Sequence, residues 1–290
     1  MYKKFTNSRS VSTKLDGVHS LARDAQANQH LNDITKWLAA PDPSSNFNKA
    51  ISNRHPGSGQ WFLQGETYSR WKTQKNSILW LHGIPGCGKT VLSSTIIEDL
   101  KKHDGYAPTM LYFYFDFSDT SKQSFENAIR SLISQLYYKN ECVRGRLDSL
   151  YSSSQDGIQQ PSIESLHATL LGMIQEAGEV WVIFDALDEC QTRSEHRPWG
   201  LLPWIQRFRD SQMNGHILIT SRPEQDIESA VRSRACDEDI IPIQSGLIDG
   251  DICSYVHTRV KEHEGLERWQ SQPEIQTEIE TTLREKANGM

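Results

Sequence analysis

Residues 83–90 read Gly83-Ile84-Pro85-Gly86-Cys87-Gly88-Lys89-Thr90, between an apolar run at 78–82 and a stretch with Val91, Leu92, Ile96 and Leu100 on one side. The first flank has the length and composition of a buried strand, and the second has helical spacing. A strand, a glycine-rich turn and a helix in that order leave little choice of fold. Glycines let the backbone curl so that successive N–H groups point inward, and a helix beginning near Lys89 adds the positive end of its dipole. In this setting the pattern G-x-x-x-x-G-K-[ST] predicts a loop that cradles phosphates. Lys89 would reach the β and γ phosphates, and the Thr90 hydroxyl would face Mg2+. Ile84, Pro85, Gly86 and Cys87 complete the loop; at Cys87 only the backbone amide matters, so the thiol is assigned no chemistry. A glycine-rich turn that binds nothing is the competing explanation, and the flanks together with the acidic motif below weigh against it.

Downstream the chain alternates β and α signals, as a parallel sheet with crossover helices requires. Strands are expected at 110–117, 180–184 and 216–220, with a long helical insert over 124–177 broken by the polar run 152–160. Tyr112, Phe113, Tyr114, Phe115 and Phe117 belong to a core strand rather than to a base-stacking platform. Upstream, Val18, Leu21, Ala25, Leu31, Ile34 and Leu38 recur at helical spacing, which predicts one helix over 17–39 ended by Pro41 and Pro43. Trp61 and Trp71 are expected to pack this arm onto the sheet. The fold class that results is α/β, a P-loop core with a parallel sheet flanked by helices. Its expected divisions are a disordered tail 1–16, a helical arm 17–75, the core 76–230 and the start of a helical subdomain 231–290, ending in a helix over 273–287.

In open α/β sheets ligands collect at the carboxyl ends of the strands. Val180-Trp181-Val182-Ile183-Phe184 ends in Asp185, which from that position holds Mg2+ through a water, opposite Thr90. Asp188 or Glu189, just after it, would orient the water that attacks a γ-phosphate. The bland alternative has Asp185 capping the strand and the two later acids opening a helix, where they suit its dipole. Ile217-Leu218-Ile219-Thr220-Ser221-Arg222-Pro223 repeats the arrangement, and Arg222 stands where a guanidinium can meet a γ-phosphate and register its loss. Arg193, Arg197, Arg207 and Arg209 are expected to decorate solvated helices. His196 near Cys190 falls short of a metal site.

Composition removes several function classes. A net charge of -6 lacks the basic excess behind binding to nucleic-acid backbones, so no nucleic-acid partner is expected. No apolar run approaches the roughly eighteen residues of a membrane span. The five cysteines are widely spaced, odd in number and without a C-x-x-C pair, which fits a reducing, cytoplasmic setting. No N-K-x-D guanine motif follows the core, which disfavours a GTPase.

Four stretches together resemble a NACHT-type ATPase of the fungal NOD-like receptor (STAND) kind, the nephrocystin-like N-terminal NACHT module. They are Trp80-Leu81-His82 with the glycine loop, the aromatic strand through Asp116-Phe117-Ser118, Phe184-Asp185-Ala186-Leu187-Asp188-Glu189-Cys190, and Thr220-Ser221-Arg222-Pro223. The resemblance implies an ATP-driven signalling switch, closed with ADP and opened by exchange, that assembles with copies of itself. Such proteins carry an effector domain before the module and ankyrin or WD40 repeats after it, and these 290 residues contain neither. Lys286-Ala287-Asn288-Gly289-Met290 looks like a family helix cut off mid-course, and the family's winged helix is missing. A fragment or short member is therefore expected, with a non-hydrolysing, nucleotide-bound scaffold as the alternative. A small-molecule phosphotransferase would need an acceptor pocket and an arginine-rich lid, for which the sequence offers no candidate.

Overall fold

The computed structural model describes residues 23, 25–102, 109–194, 198–211, 213–233, 235–269 and 271–287. The expected tail 1–16, Val18, Leu21, His196, Arg197 and residues 288–290 lie outside the described residues.

Five strands, β1 (Ile78–His82), β2 (Thr109–Tyr114), β3 (Val180–Asp185), β4 (Gly215–Ser221) and β5 (Ile240–Pro242), form one sheet in the order β2-β3-β4-β1-β5. Every pairing is parallel. The strands are continuous apolar runs because helices cover both faces. Alternate residues divide between two cores, as the two-residue period of a strand demands. Trp80, Phe113, Phe184 and Ile219 enter one core, and Leu81, Tyr112, Ile183 and Leu218 enter the other.

Helix α1 (25–38), α2 (Ser44–Asn53), α3 (Gln60–Leu63) and α4 (Glu66–Thr73) precede the sheet, and α5 (Lys89–Lys101) follows β1. Trp71 on α4 is buried and donates its indole N–H to the Ile217 carbonyl at 3.0 Å, so the arm is anchored on the sheet as expected. The insert forms three helices, α6 (Phe125–Lys139), α7 (Arg144–Ser153) and α8 (Ile163–Ala177). An additional break falls after Lys139, where the Asn140 side chain accepts from the Cys142 N–H and opens a short 3-10 turn. Arg130, buried on α6, donates to the Leu38 carbonyl and the Gln160 side chain at 3.0 Å each, tying the end of α1 to the insert.

Helix α9 (Leu201–Asp210), α10 (Gln225–Arg232), α11 (Ser245–Glu262) and α12 (Pro273–Ala287) complete the fold. The sheet continues past residue 230, where the sequence alone ends the core. Strand β5 has only three residues and ends in proline, too short for a period-2 signal, yet it pairs with Trp80, Leu81 and His82. Strand β2 stops at Tyr114 rather than at residue 117, although the Phe115 N–H still donates to the Asp185 carbonyl at 3.0 Å. Phe117 emerges 76% exposed.

His167 on α8 is buried, and its ring packs edge-on against Phe125 and Trp199. Burial foremost, and the charge of Arg207 next, push its pKa down to about 4 from 6.5. The folded state therefore resists a proton that the unfolded chain takes up below about pH 6.5. Stability is intact above that value and falls as the pH drops toward 4. Between pH 7 and pH 5 the loss is about 2 kcal/mol. A His167→Leu variant is expected to show a smaller drop in urea midpoint over that interval; an equal drop in both proteins contradicts this assignment.

Candidate nucleotide site

The glycine loop curls where its sequence permits it. Gly86 and Gly88 have φ of 82° and 87°, a left-handed backbone that suits glycine, and Gly88 opens α5. At Gly83 a Cβ would lie 2.7 Å from the Cys87 thiol and 3.0 Å from the Ile243 carbonyl, so the first glycine is required by crowding instead. The Lys89 ammonium lies across the loop and donates to the Gly83 and Ile84 carbonyls at 2.8 Å each. It is thus held at the centre of the curl.

Asp185 reaches the loop from the end of β3, two strands away from β1, with β4 between them. The Thr90 hydroxyl donates to its Oδ2 at 2.7 Å, and Ser93 and Thr220 donate to Oδ1 at 2.8 and 2.7 Å. Thr90 and Ser93 are three residues apart and share a face of α5. Burial raises the Asp185 pKa, opposed by the hydrogen bonds from Thr220, Thr90 and Ser93 and by the Lys89 charge. Next along the chain, Ala186 takes a left-handed φ of 54° and donates its N–H to the Thr220 hydroxyl at 2.9 Å, turning the backbone into the 3-10 turn Leu187–Glu189. A small side chain suits that backbone.

Asp188 and Glu189 are not equivalent. Asp188 is almost fully buried and accepts from Arg222 with both oxygens, from the backbone N–H at 3.0 Å and from Nε at 2.6 Å. Glu189 is partly buried, accepts the Phe117 N–H at 2.8 Å on one oxygen, and is raised in pKa chiefly by burial and then by the neighbouring acids Asp188, Asp116 and Asp185. Arg222 is 48% exposed, so it combines the Asp188 contact with access to solvent. These groups border one cleft of about 750 Å³, along with Gly86, Lys89, Thr90 and the exposed Phe117.

A second cavity of about 460 Å³ lies on the other side of Gly86 and Gly88, between the arm and α11. Trp61, Leu92, Ile243 and Ile252 make much of its wall apolar. The two spaces share Gly86, Gly88 and Val91, so a polar cleft and an apolar cavity meet over the loop. That is the division a nucleotide presents, with charged phosphates at one end and a flat base at the other. Among the described residues no group of three or more His, Cys, Asp or Glu side chains could hold a metal ion. One carboxylate and one hydroxyl fit Mg2+, which takes few protein ligands and completes its shell with water and phosphate oxygens.

Of the expected site residues, Pro85, Gly86, Gly88, Lys89, Thr90, Asp188, Glu189 and Arg222 line the cleft, while Asp185 is buried and bonded to Thr90. Sequence reasoning missed Ser93 and the anchoring role of Thr220. It also missed Arg193, which does not decorate a solvated helix. Its guanidinium contacts Glu224, donates to Asp226 at 2.9 Å, and bonds the backbone carbonyls of Asp188 and Cys190, clamping the loop after β3 to the one after β4. The Ser93 signal was available in its three-residue offset from Thr90. Partners 31 and 33 residues away gave none for Arg193. Arg207 is on α9, where it donates to the Pro198 carbonyl and lies over the Trp199 ring.

The sequence profile of the family described as "Nephrocystin 3, N-terminal" matches residues 57–222. The vegetative incompatibility protein HET-E-1 of Podospora anserina is 27% identical over 179 residues, which cover 60% of this chain and 13% of that protein. The chain therefore matches only a small part of that relative's length. Among solved structures, C. elegans PCH-2 aligns with a TM-score of 0.34 at 19% identity, covering 74% of this chain and 51% of its own. The E. coli MS115-1 HORMA:CdnC:Trip13 complex aligns at 0.34 and 12%, covering 91% and 87%.

Proposed function

The chain belongs to the nephrocystin 3 N-terminal family, a NACHT-type nucleotide-binding module, and from that premise we propose that it binds ATP and ADP with Mg2+, hydrolyses ATP slowly and acts as a signalling switch. The observation that carries the proposal is the 2.7 Å contact between Thr90 and Asp185, two residues 95 positions apart, directly beneath the curled loop. No packing need explains a fully buried carboxylate ringed by three hydroxyls beside a lysine.

In this account the backbone amides of residues 83–90 and the Lys89 ammonium hold the phosphates, and Lys89 exchanges its two loop carbonyls for phosphate oxygens. Thr90 and Asp185 would hold a divalent cation, which would supply positive charge for the phosphates. Glu189 orients the attacking water, since its second oxygen carries no hydrogen bond among the described residues and burial raises its pKa, which makes it a stronger base. Asp188 instead positions Arg222. When a γ-phosphate is present, Arg222 divides its donors between it and the acids Asp188 and Glu224; after hydrolysis only the two acids remain. That difference is what a switch requires, because moving a 1:99 equilibrium to 99:1 takes about 5.5 kcal/mol of differential binding. A cytoplasmic setting and assembly with further copies through the core belong to the same proposal. All five cysteines are free thiols, in keeping with a reducing compartment.

The second reading, a nucleotide-bound scaffold without turnover, is separated by phosphate release. Purified protein with Mg-ATP is expected to release phosphate with a rate that rises with pH through the Glu189 titration. Release no faster than the buffer blank would favour the scaffold.

A further inference from the structure

The apolar cavity beside the loop has one acid among the residues that line it, Asp251 on α11. Its Oδ2 accepts the Gly59 N–H at 2.8 Å, which fixes the turn entering α3. Its Oδ1 has no hydrogen-bond donor among the described residues. Two of the cavity's other polar side chains already have partners. His55 bonds Ser254 at 2.9 Å, and Arg259 lies over the Tyr255 ring with its Nε 3.3 Å from the hydroxyl. Asn53 and Ser58, also on the wall, are uncharged. The cavity therefore offers a base one open, charged acceptor.

We propose that Asp251 reads the base, its free oxygen accepting the exocyclic amine of adenine and so setting adenine above guanine. The inference rests on the nucleotide reading of the glycine loop given above. Adenine carries a donor at C6, where guanine and hypoxanthine carry an acceptor. An oxo group there would place two acceptors face to face in an apolar cavity. Guanine could instead turn its N1–H and 2-amino group toward both carboxylate oxygens. Oδ2 would then have to release the Gly59 N–H and leave it unpaired, a cost that accepting a single amine on Oδ1 avoids. A site with one committed and one open oxygen matches a single amine.

The test is an equilibrium titration with ADP, GDP and inosine diphosphate of wild type, Asp251→Asn and Asp251→Ala, each checked for folding by thermal melting. Inosine diphosphate differs from ADP by the C6 oxo group and the N1 proton it brings, and lacks the 2-amino group of GDP. Wild type is expected to prefer ADP over inosine diphosphate by about tenfold or more, since a site built for a hydrogen bond rejects the analogue lacking it. Asp251→Asn keeps an oxygen for Gly59 and offers an amide donor to the base. Its preference should move toward the oxo bases by about tenfold or more, and Asp251→Ala should lose most of the discrimination. An Asp251→Asn protein with the wild-type ratio overturns the inference. So does a wild type that binds ADP and inosine diphosphate equally, a result that holds even if the variants fail to fold. A wild type that binds none of the three overturns the nucleotide reading itself, and with it this one.

Discussion

A Lys89→Ala variant is expected to lose nucleotide affinity by a factor of at least about a hundred while remaining folded. In the proposed site the ammonium would meet two phosphates, and charge-assisted hydrogen bonds contribute about 1.5–3 kcal/mol each, against 1.4 kcal/mol for every tenfold in affinity. Its structural contribution is smaller. In the structure Lys89 bonds the Gly83 and Ile84 carbonyls, both in a loop at the molecular surface, where water can replace it. The neighbouring helix α5 is held by Leu92, Ile96, Ile97 and Leu100, all buried and untouched by the substitution. Calorimetric titration with Mg-ATP should give no resolvable heat, with a thermal melting point within a few degrees of wild type. Undiminished binding would remove Lys89 from the phosphate site.

The second large effect falls on chemistry rather than binding. Glu189→Gln is expected to slow phosphate release about a hundredfold or more, within the range ascribed to a positioned general base, while ATP affinity stays within a few-fold. The substitution is nearly isosteric, and the glutamine oxygen can still accept the Phe117 N–H now held at 2.8 Å. What disappears is the carboxylate whose pKa burial has raised. Asp188→Asn should behave differently. It removes the charge paired with Arg222 at 2.6 Å, leaving the arginine only the longer 3.8 Å contact with Glu224 at the cleft edge. The ratio of ATP to ADP affinity should then change as well as the rate. If Asp188→Asn abolishes release with affinities unchanged and Glu189→Gln does not slow it, the roles assigned to these two acids are reversed.

Most of the sheet was legible because its strands are apolar runs ending in polar residues. The run 78–82 and the glycine loop could be placed from local pattern alone, and so could Asp185. The strand order could not. That β4 separates β1 from β3, so that Thr220 can donate to Asp185, depends on crossovers that leave no mark on any one segment. Strand β5 escaped notice because three residues ending in Pro242 show no periodicity, and its place is set by hydrogen bonding to β1. The site was legible where its residues cluster in sequence. Arg193 and Asp251 were not, since each acts on a partner far along the chain, Arg193 on Glu224 and Asp226, Asp251 on Gly59. Glu189 and Asp188 could not be told apart until the Arg222 contact gave Asp188 both its donors.

The proposed binding of ATP and ADP at the glycine loop underlies every functional role assigned to the site, and it is tested most directly by equilibrium titration of the purified wild-type chain with each nucleotide in Mg2+. The expected result is saturable binding of one nucleotide per chain, abolished by Lys89→Ala and weakened by chelating the metal. A folded wild-type protein that binds neither ATP nor ADP under those conditions would contradict the account.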